Sequence, residues 1–303
     1  MFTNPFTNVY GFARTLLALG TMLTFICNDV HTLFRPALGI EEYPICRGMA
    51  ESISLFCLFQ SDLHLGKWVA IVILAAVVTG WRPRFTGVFH WWVSYSFMNS
   101  AILVDGGDQV TAIITLLLLP MCICDPRKWH WSNDYADELS TNSTYRFIVG
   151  NCTIRVIRVQ VAIIYLHAAV AKCTVPEWAN GTALYYWFTD PMFGFSSWLA
   201  PFFTPLIENP FTVSVLTWSV VTLEFMLFAG LLADKKLWPT LLYLGLVFHF
   251  GIALIHGLIS FAFAMFAALI IYLRPVEHVF SLPLTKELDH ASSVADAHQQ
   301  MSR

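Results

Sequence analysis

The chain has 303 residues, of which 57% are hydrophobic and only 12% charged, with a mean hydropathy of +0.62. Soluble domains carry roughly 25% charged residues, so half that share points to lipid as the main solvent and excludes an ordinary water-soluble enzyme. A net charge of −3 with no basic stripe excludes nucleic acid as a partner.

A membrane span needs about 20 largely apolar residues, or about 17 at the short end. The first apolar run, 12–28, has only Arg14 as a weak basic start and no small-residue cleavage site, so it reads as a retained span rather than a signal peptide. Residues 48–60 are too short to cross and carry Glu51. They predict an interfacial or re-entrant helix, with a ninth span as the alternative. Further spans are predicted at 66–81, 86–104, 109–124, 154–171, 211–232, 237–255 and 258–273. The fold class is therefore all-α, a polytopic transmembrane helical bundle of about eight spans. It reads as one transmembrane domain over 1–275 and a tail over 276–303, polar and aperiodic from about Lys286 and so expected to be disordered.

With both termini on one side, that side carries Arg82, Arg84, Arg127, Lys128, Arg146, Lys235, Lys236, Arg274, Lys286 and Arg303. The other side carries Arg35, Arg47, Lys67 and Lys172. The positive-inside rule then makes the first side cytoplasmic. On the outer side, residues 172–210 are crowded with Trp, Tyr and Phe and broken by Pro176, Pro191, Pro201 and Pro205. They read either as an aromatic belt or as the wall or lid of a site open to the outer leaflet.

Ionisable groups inside spans are costly and need a partner, a cavity or a role. Asp105 and Asp108 stand in the LVDGGDQV turn, Lys172 at the outer end of the fifth span, and His256 at the outer end of the seventh. His249 precedes His256 by two helical turns and shares its face. His167 and Glu224 lie deeper. Together these residues predict a polar cluster in the outer half of the bundle. Each also has a plain structural explanation: turn chemistry for the aspartates, a packed histidine for His167, snorkelling for Lys172. Glu224 has no interfacial escape and calls for a cation or histidine partner. Asp108, His249 and His256 offer donor atoms for a metal but no ligand spacing, so no metal is assigned. The glycosylation-type tripeptides at Asn142, Asn151 and Asn180 read as chance, since two of them fall on the cytoplasmic side.

Among seven cysteines, Cys27, Cys46 and Cys173 are on the outer side, where disulfides persist. A Cys27–Cys46 bridge would close the first outer loop. Cys173 beside Lys172 is either a reactive thiol near a cation or a small packed hydrophobe.

Three blocks, NPFTNVYGFARTLLALGTMLTFICN, MNSAILVDGGDQV and AKCTVPEWANGTALYYWFTDPMFG, resemble the SdpB family of membrane proteins that mature a secreted sporulation-delaying peptide toxin. The resemblance covers most of residues 4–275 and implies membership of the HTTM superfamily, whose best-known member is vitamin K-dependent γ-glutamyl carboxylase. Against that enzyme, YLHAAVAK, a short spacer, Trp178 and Gly181 put Lys172 on the catalytic lysine. His249 matches a histidine in a Phe-His block, Glu224 an acidic residue in a span, and the stretch from Asn99 to Asp108 the superfamily's NGGD-like turn. The resemblance implies a membrane quinol as cofactor, a precursor toxin peptide as substrate and a small SdpA-like protein as partner. The carboxylase's large lumenal domain has no counterpart in this sequence, so peptide recognition would fall to the partner. A lysine serves as base only where burial makes its neutral form accessible. The sequence thus carries two readings of different class: a quinol-dependent modifying enzyme with Lys172 as base and His249 or His256 as donor to a developing oxyanion, or a non-catalytic scaffold that binds the precursor peptide in the plasma membrane. A third, thiol–disulfide exchange through Cys46 and Cys173, lacks the CxxC such chemistry favours.

Overall fold

The computed structural model describes residues 3–36, 39, 43–102, 104–133 and 141–281. The polar tail expected from Lys286 lies outside the described residues. The chain runs α1 (Asn8–Cys27), α2 (Val30–Leu33), α3 (Met49–Ile53), α4 (Leu55–Leu58), α5 (Leu63–Thr79), α6 (Pro83–Ser100), α7 (Gly106–Cys124) and α8 (Thr141–Cys173). It continues through α9 (Pro176–Ala179), α10 (Ala183–Thr189), α11 (Ala200–Glu208), α12 (Pro210–Ala229), α13 (Trp238–His256) and α14 (Ile259–Leu273). Helices α1, α7, α8, α12 and α13 are long and apolar enough to cross a membrane, and α5 and α14 are apolar but shorter. With α6, these occupy all eight places where the sequence predicts a span. The molecule is a helical membrane bundle.

Local chemistry sets the ends of these helices. Asp105 caps α7 by accepting from the N–H groups of Gly107 and Asp108, while Asp108 returns a bond to the Asp105 N–H. Asn209 caps α12, whose first residue is Pro210, where a missing N–H costs nothing. Gly80 ends α5 at φ 81°, and a side chain there would collide with the His130 ring.

Two cores share α1. Its lower part, with Val9, Ala13 and Leu17, joins α7, α8, α13 and α14; its upper part, with Ala18 and Phe25, joins α4, α5 and α6. Helix α14 is apolar all round and buried from Ala267 to Leu273, which makes it the axis of the first core. Cross-bundle bonds fix the alternating directions. Lys67 Nζ reaches the Asn28 carbonyl at 2.9 Å and Ser260 Oγ reaches Asp105 Oδ2 at 3.2 Å at one end. At the other, Thr7 Oγ1 donates to the Val276 carbonyl and Asn8 exchanges two bonds with Phe280. Residues 276–281 are thereby folded back onto α1 rather than free.

Three features differ from the reading of the sequence. First, residues 48–60 form two short helices broken at Ser54, and no ninth span. Ser54 Oγ bonds Ser100 Oγ at 2.7 Å and the Leu55 N–H bonds Ser96 Oγ at 2.9 Å, so α6 serines hold the break and sink Leu55 and Phe56 into the core. Second, Cys46 is bonded to Cys57 and Cys27 is free and exposed, which corrects the Cys27–Cys46 pairing. The cause is α6 again: the Ile45 N–H bonds the Ser100 carbonyl, so both cysteines are delivered to the same helix end. For the thiol–disulfide reading, this leaves Cys46 bonded to Cys57 and Cys173 as a free, exposed thiol. Third, α8 begins at Thr141, well before the span predicted from 154.

Candidate functional site

Helix α8 ends at Cys173, yet α12 extends past it from Glu224 to Pro210, about 21 Å of helix. The short helices α9 and α10 fill the space beside that outer half. Gly181 lies against Ser214, the Leu184 N–H bonds Thr217 Oγ1 at 3.3 Å, and Leu184, Ile207 and Val213 form a small core with Trp178 and Phe188. The aromatic segment 174–209 is therefore packed alongside a membrane-crossing helix. Lys172, one residue before the end of α8, sits against this packed segment.

There Lys172 Nζ donates to Glu224 Oε1 at 2.7 Å, with the lysine side chain 23% and the glutamate 6% exposed. The same ammonium lies 5.3 Å from the centroid of the Trp178 ring, a cation–π distance. Beside the pair, Tyr165 OH and His249 Nε2 are 2.9 Å apart. The His249 ring is edge-on to Phe261 at 5.4 Å and close to Phe248. Two polar atoms of this group, Glu224 Oε2 and His249 Nδ1, are buried without a hydrogen-bond partner. Buried polar atoms are nearly always paired, so two orphans in one cluster mark it out.

The other residues expected here are placed differently. Asp105 and Asp108 form the α7 cap described above, tied to α14 through Ser260. A side chain at Gly107 would stand 2.6 Å from the Phe261 Cα, which explains the DGGD glycine. Phe261 thus stands between the cap and His249. His256 Nδ1 donates to the Phe193 carbonyl at 2.6 Å and its ring meets Phe188 and Trp187, so it fastens the aromatic segment to α13. His167 is exposed, and Asn99 donates back to the Tyr95 carbonyl of its own helix. Among the described residues, no three His, Cys, Asp or Glu converge as a metal would require.

Sequence reasoning missed Tyr165. Its signal was present: it precedes Lys172 by seven residues, two turns on one helical face, whereas His167 precedes it by five and points elsewhere.

It also missed a second polar centre at the far end of the bundle. Arg14 is fully buried, its Nη1 3.1 Å from His130 Nδ1 and its Nη2 donating to Thr86 Oγ1 at 3.1 Å. His130 Nε2 lies 3.2 Å from Thr15 Oγ1. Burial, helped by the nearby Arg14 and Arg127 charges, holds the His130 imidazole well below the usual histidine range and so neutral. The network then assigns its tautomer: Nδ1 accepts from Arg14 and Nε2–H donates to Thr15. Arg127 meets Asp125 through two bonds of 2.9 and 2.8 Å and bonds the carbonyls of His130 and Ser132. Tyr10 OH completes Asp125 at 2.9 Å.

No family model and no solved structure matches the chain. Two proteins of Bacillus subtilis (strain 168) do. One is named Uncharacterized protein YitO, 41% identical over 288 residues, covering 94% of this chain and 91% of its own length. The other is Sporulation-delaying protein SdpB, 37% identical over 281 residues, covering 90% of this chain and 83% of its own. Similarity of that extent from end to end, on a helical membrane bundle, means that the chain belongs to the SdpB family.

Proposed function

We propose that the chain is a plasma-membrane protein, both termini cytoplasmic, that matures a secreted sporulation-delaying peptide toxin together with a small SdpA-like partner. The observation that carries this is the 37% identity to Sporulation-delaying protein SdpB along 90% of the chain. Its working site is the group Lys172, Glu224, Tyr165 and His249, of the type used by the HTTM superfamily, with Lys172 as base. A lysine bonded to a carboxylate is a cation, so Glu224 has to take its proton first. Transfer along the 2.7 Å hydrogen bond leaves an amine and a carboxylic acid, and two neutral groups need less solvation at low polarity than two ions.

The cofactor implied is a quinol. The unpartnered Glu224 Oε2 and His249 Nδ1, beside the Phe261 and Phe248 rings, form a donor and acceptor set that suits a hydroxylated ring. When bound, such a group supplies an acidic hydroxyl and two electrons. Lys172 Nζ then receives a proton, Tyr165 fixes the His249 ring so that Nδ1 stays available, and Trp178 with the aromatic segment keeps water out.

The ion pair itself favours a second reading, in which the cluster is a binding site and the protein a non-catalytic scaffold for the precursor peptide. Lys172→Arg keeps the charge but removes the base. Membranes with equal amounts of Lys172→Arg and Lys172→Ala protein should both lose active toxin, and the peptide's mass should lack a covalent change seen with the native chain. Full output from Lys172→Arg, with unchanged peptide mass, discards the base and leaves the scaffold.

A further inference from the structure

The end of the bundle away from the aromatic segment holds a cavity of about 210 Å³, bordered by Thr3, Asn151, Arg155, Arg158, Lys235 and Glu277. It is far from Lys172, which lies about 21 Å further along α8 than Arg158. Three cations face one carboxylate here. Arg155 and Arg158, three apart on one helix face, repel each other in the absence of a counter-charge. Trp238 holds two of the three in place: the Arg158 guanidinium lies 4.7 Å from its ring and Lys235 Nζ 5.7 Å. Arg158 uses its Nε and one Nη2 contact on the carbonyls of Ile271 and Arg274, at 3.3 and 3.5 Å. A guanidinium has five N–H donors, so most remain for something else. The Asn151 amide is fixed at the rim by bonds to the carbonyls of Thr3 and Phe147.

We infer that this cavity binds a phosphate-bearing anion, the headgroup of an anionic phospholipid, through Arg155, Arg158 and Lys235. Lys235 comes just before α13 begins at Trp238, and Glu277 just after α14 ends at Leu273. Both are therefore at the level where a span leaves the hydrocarbon and headgroups sit. Basic pockets between transmembrane helices are suited to such headgroups. A free phosphate offers the same chemistry from the aqueous side, and the two sources separate by experiment.

The test uses the full chain in detergent, with native mass spectrometry to count retained lipid. Phosphatidylglycerol should be retained about tenfold more than phosphatidylcholine. Arg158→Gln risks the packing on Trp238, so the informative variants are the exposed Arg155→Gln and Glu277→Gln. Arg155→Gln should lower phosphatidylglycerol affinity about fivefold and Glu277→Gln raise it about fivefold, close to one charge at a membrane surface. Inorganic phosphate added alone at millimolar concentration should not displace the lipid; if it does, the anion is free phosphate and the lipid assignment falls. Equal retention of the two lipids, or no response to either substitution, overturns the site altogether.

Discussion

The bundle buries two polar groups of similar size, and they are finished differently. Around Arg14, the donors and acceptors of Tyr10, Thr15, Asp125, Arg127 and His130 are matched to one another or to backbone carbonyls. The nearby His90 Nε2 is the exception. Around Lys172, an ion pair and a Tyr–His bond leave one carboxylate oxygen and one ring nitrogen over. The Arg14 network is largely matched within itself, and its work is to fasten the 125–133 segment across α1, α5 and α6. The Arg82 N–H to Lys128 carbonyl and His130 N–H to Gly80 carbonyl bonds do the same. An unsaturated cluster keeps capacity in reserve. The contrast gives the first a structural role and is the physical ground for placing the proposed site at the second.

The largest effect expected is at Asp125. Asp125→Ala leaves Arg127, 6% exposed, as an uncompensated buried charge. Breaking such a pair costs about 3–5 kcal/mol. Size-exclusion chromatography after detergent extraction should show little folded protein. A monodisperse Asp125→Ala protein at native yield would remove the structural role of the network.

Next comes pH. His130 has its folded pKa held below the unfolded value of about 6.5. As pH falls below that value the unfolded chain binds a proton that the folded chain refuses, so stability present at neutral pH is lost on acidification. The loss is at most about 1.4 kcal/mol per pH unit, or about 2 kcal/mol by pH 5. His130→Gln should be less stable at pH 7 but show a flatter decline in Tm between pH 7 and 5. Parallel declines would mean that His130 is not the group responsible.

Most of the bundle was legible because an apolar run of sufficient length has few alternatives in lipid. All eight spans appear as helices. What escaped was set by contacts between distant segments. Nothing in residues 48–60 announces a break at Ser54, because serines of α6 hold it. The same helix decides the partner of Cys46. In the candidate site, Glu224 called for a cation and has one in Lys172, and His249 lies beside them. The packing around Lys172 was not legible, because the end of α8 says nothing of how far α12 extends past it. Arg14 looked like a late signal-type charge and proved to be buried, since its partners come from α6 and from residue 130.

The unsaturated cluster should tolerate damage better. Glu224→Gln keeps the shape and a hydrogen-bonding oxygen for Lys172, whose side chain is only partly buried, and should cost about 1–2 kcal/mol. Folded yield should stay near native while toxin output falls in proportion to lost proton exchange. If its yield drops as far as that of Asp125→Ala, the two regions are alike and the functional assignment weakens.

Tyr165→Phe is the smallest change and the sharpest discriminator. It removes one hydroxyl and its 2.9 Å bond to His249, about 1 kcal/mol of stability. That loss is small enough for the folded amount, measured by in-gel fluorescence of a tagged protein, to remain close to native. In a purely structural cluster, output per folded molecule should then be unchanged. In the proposed site, the freed His249 ring no longer presents Nδ1 in a fixed direction, and output per folded molecule should fall about tenfold or more, the scale of a misplaced proton-transfer group. His167→Ala is the control on the same helix: exposed, off the face shared by Tyr165 and Lys172, and expected to change neither yield nor output. If Tyr165→Phe behaves like His167→Ala, then Tyr165 and His249 only pack, and Lys172 with Glu224 must act without them.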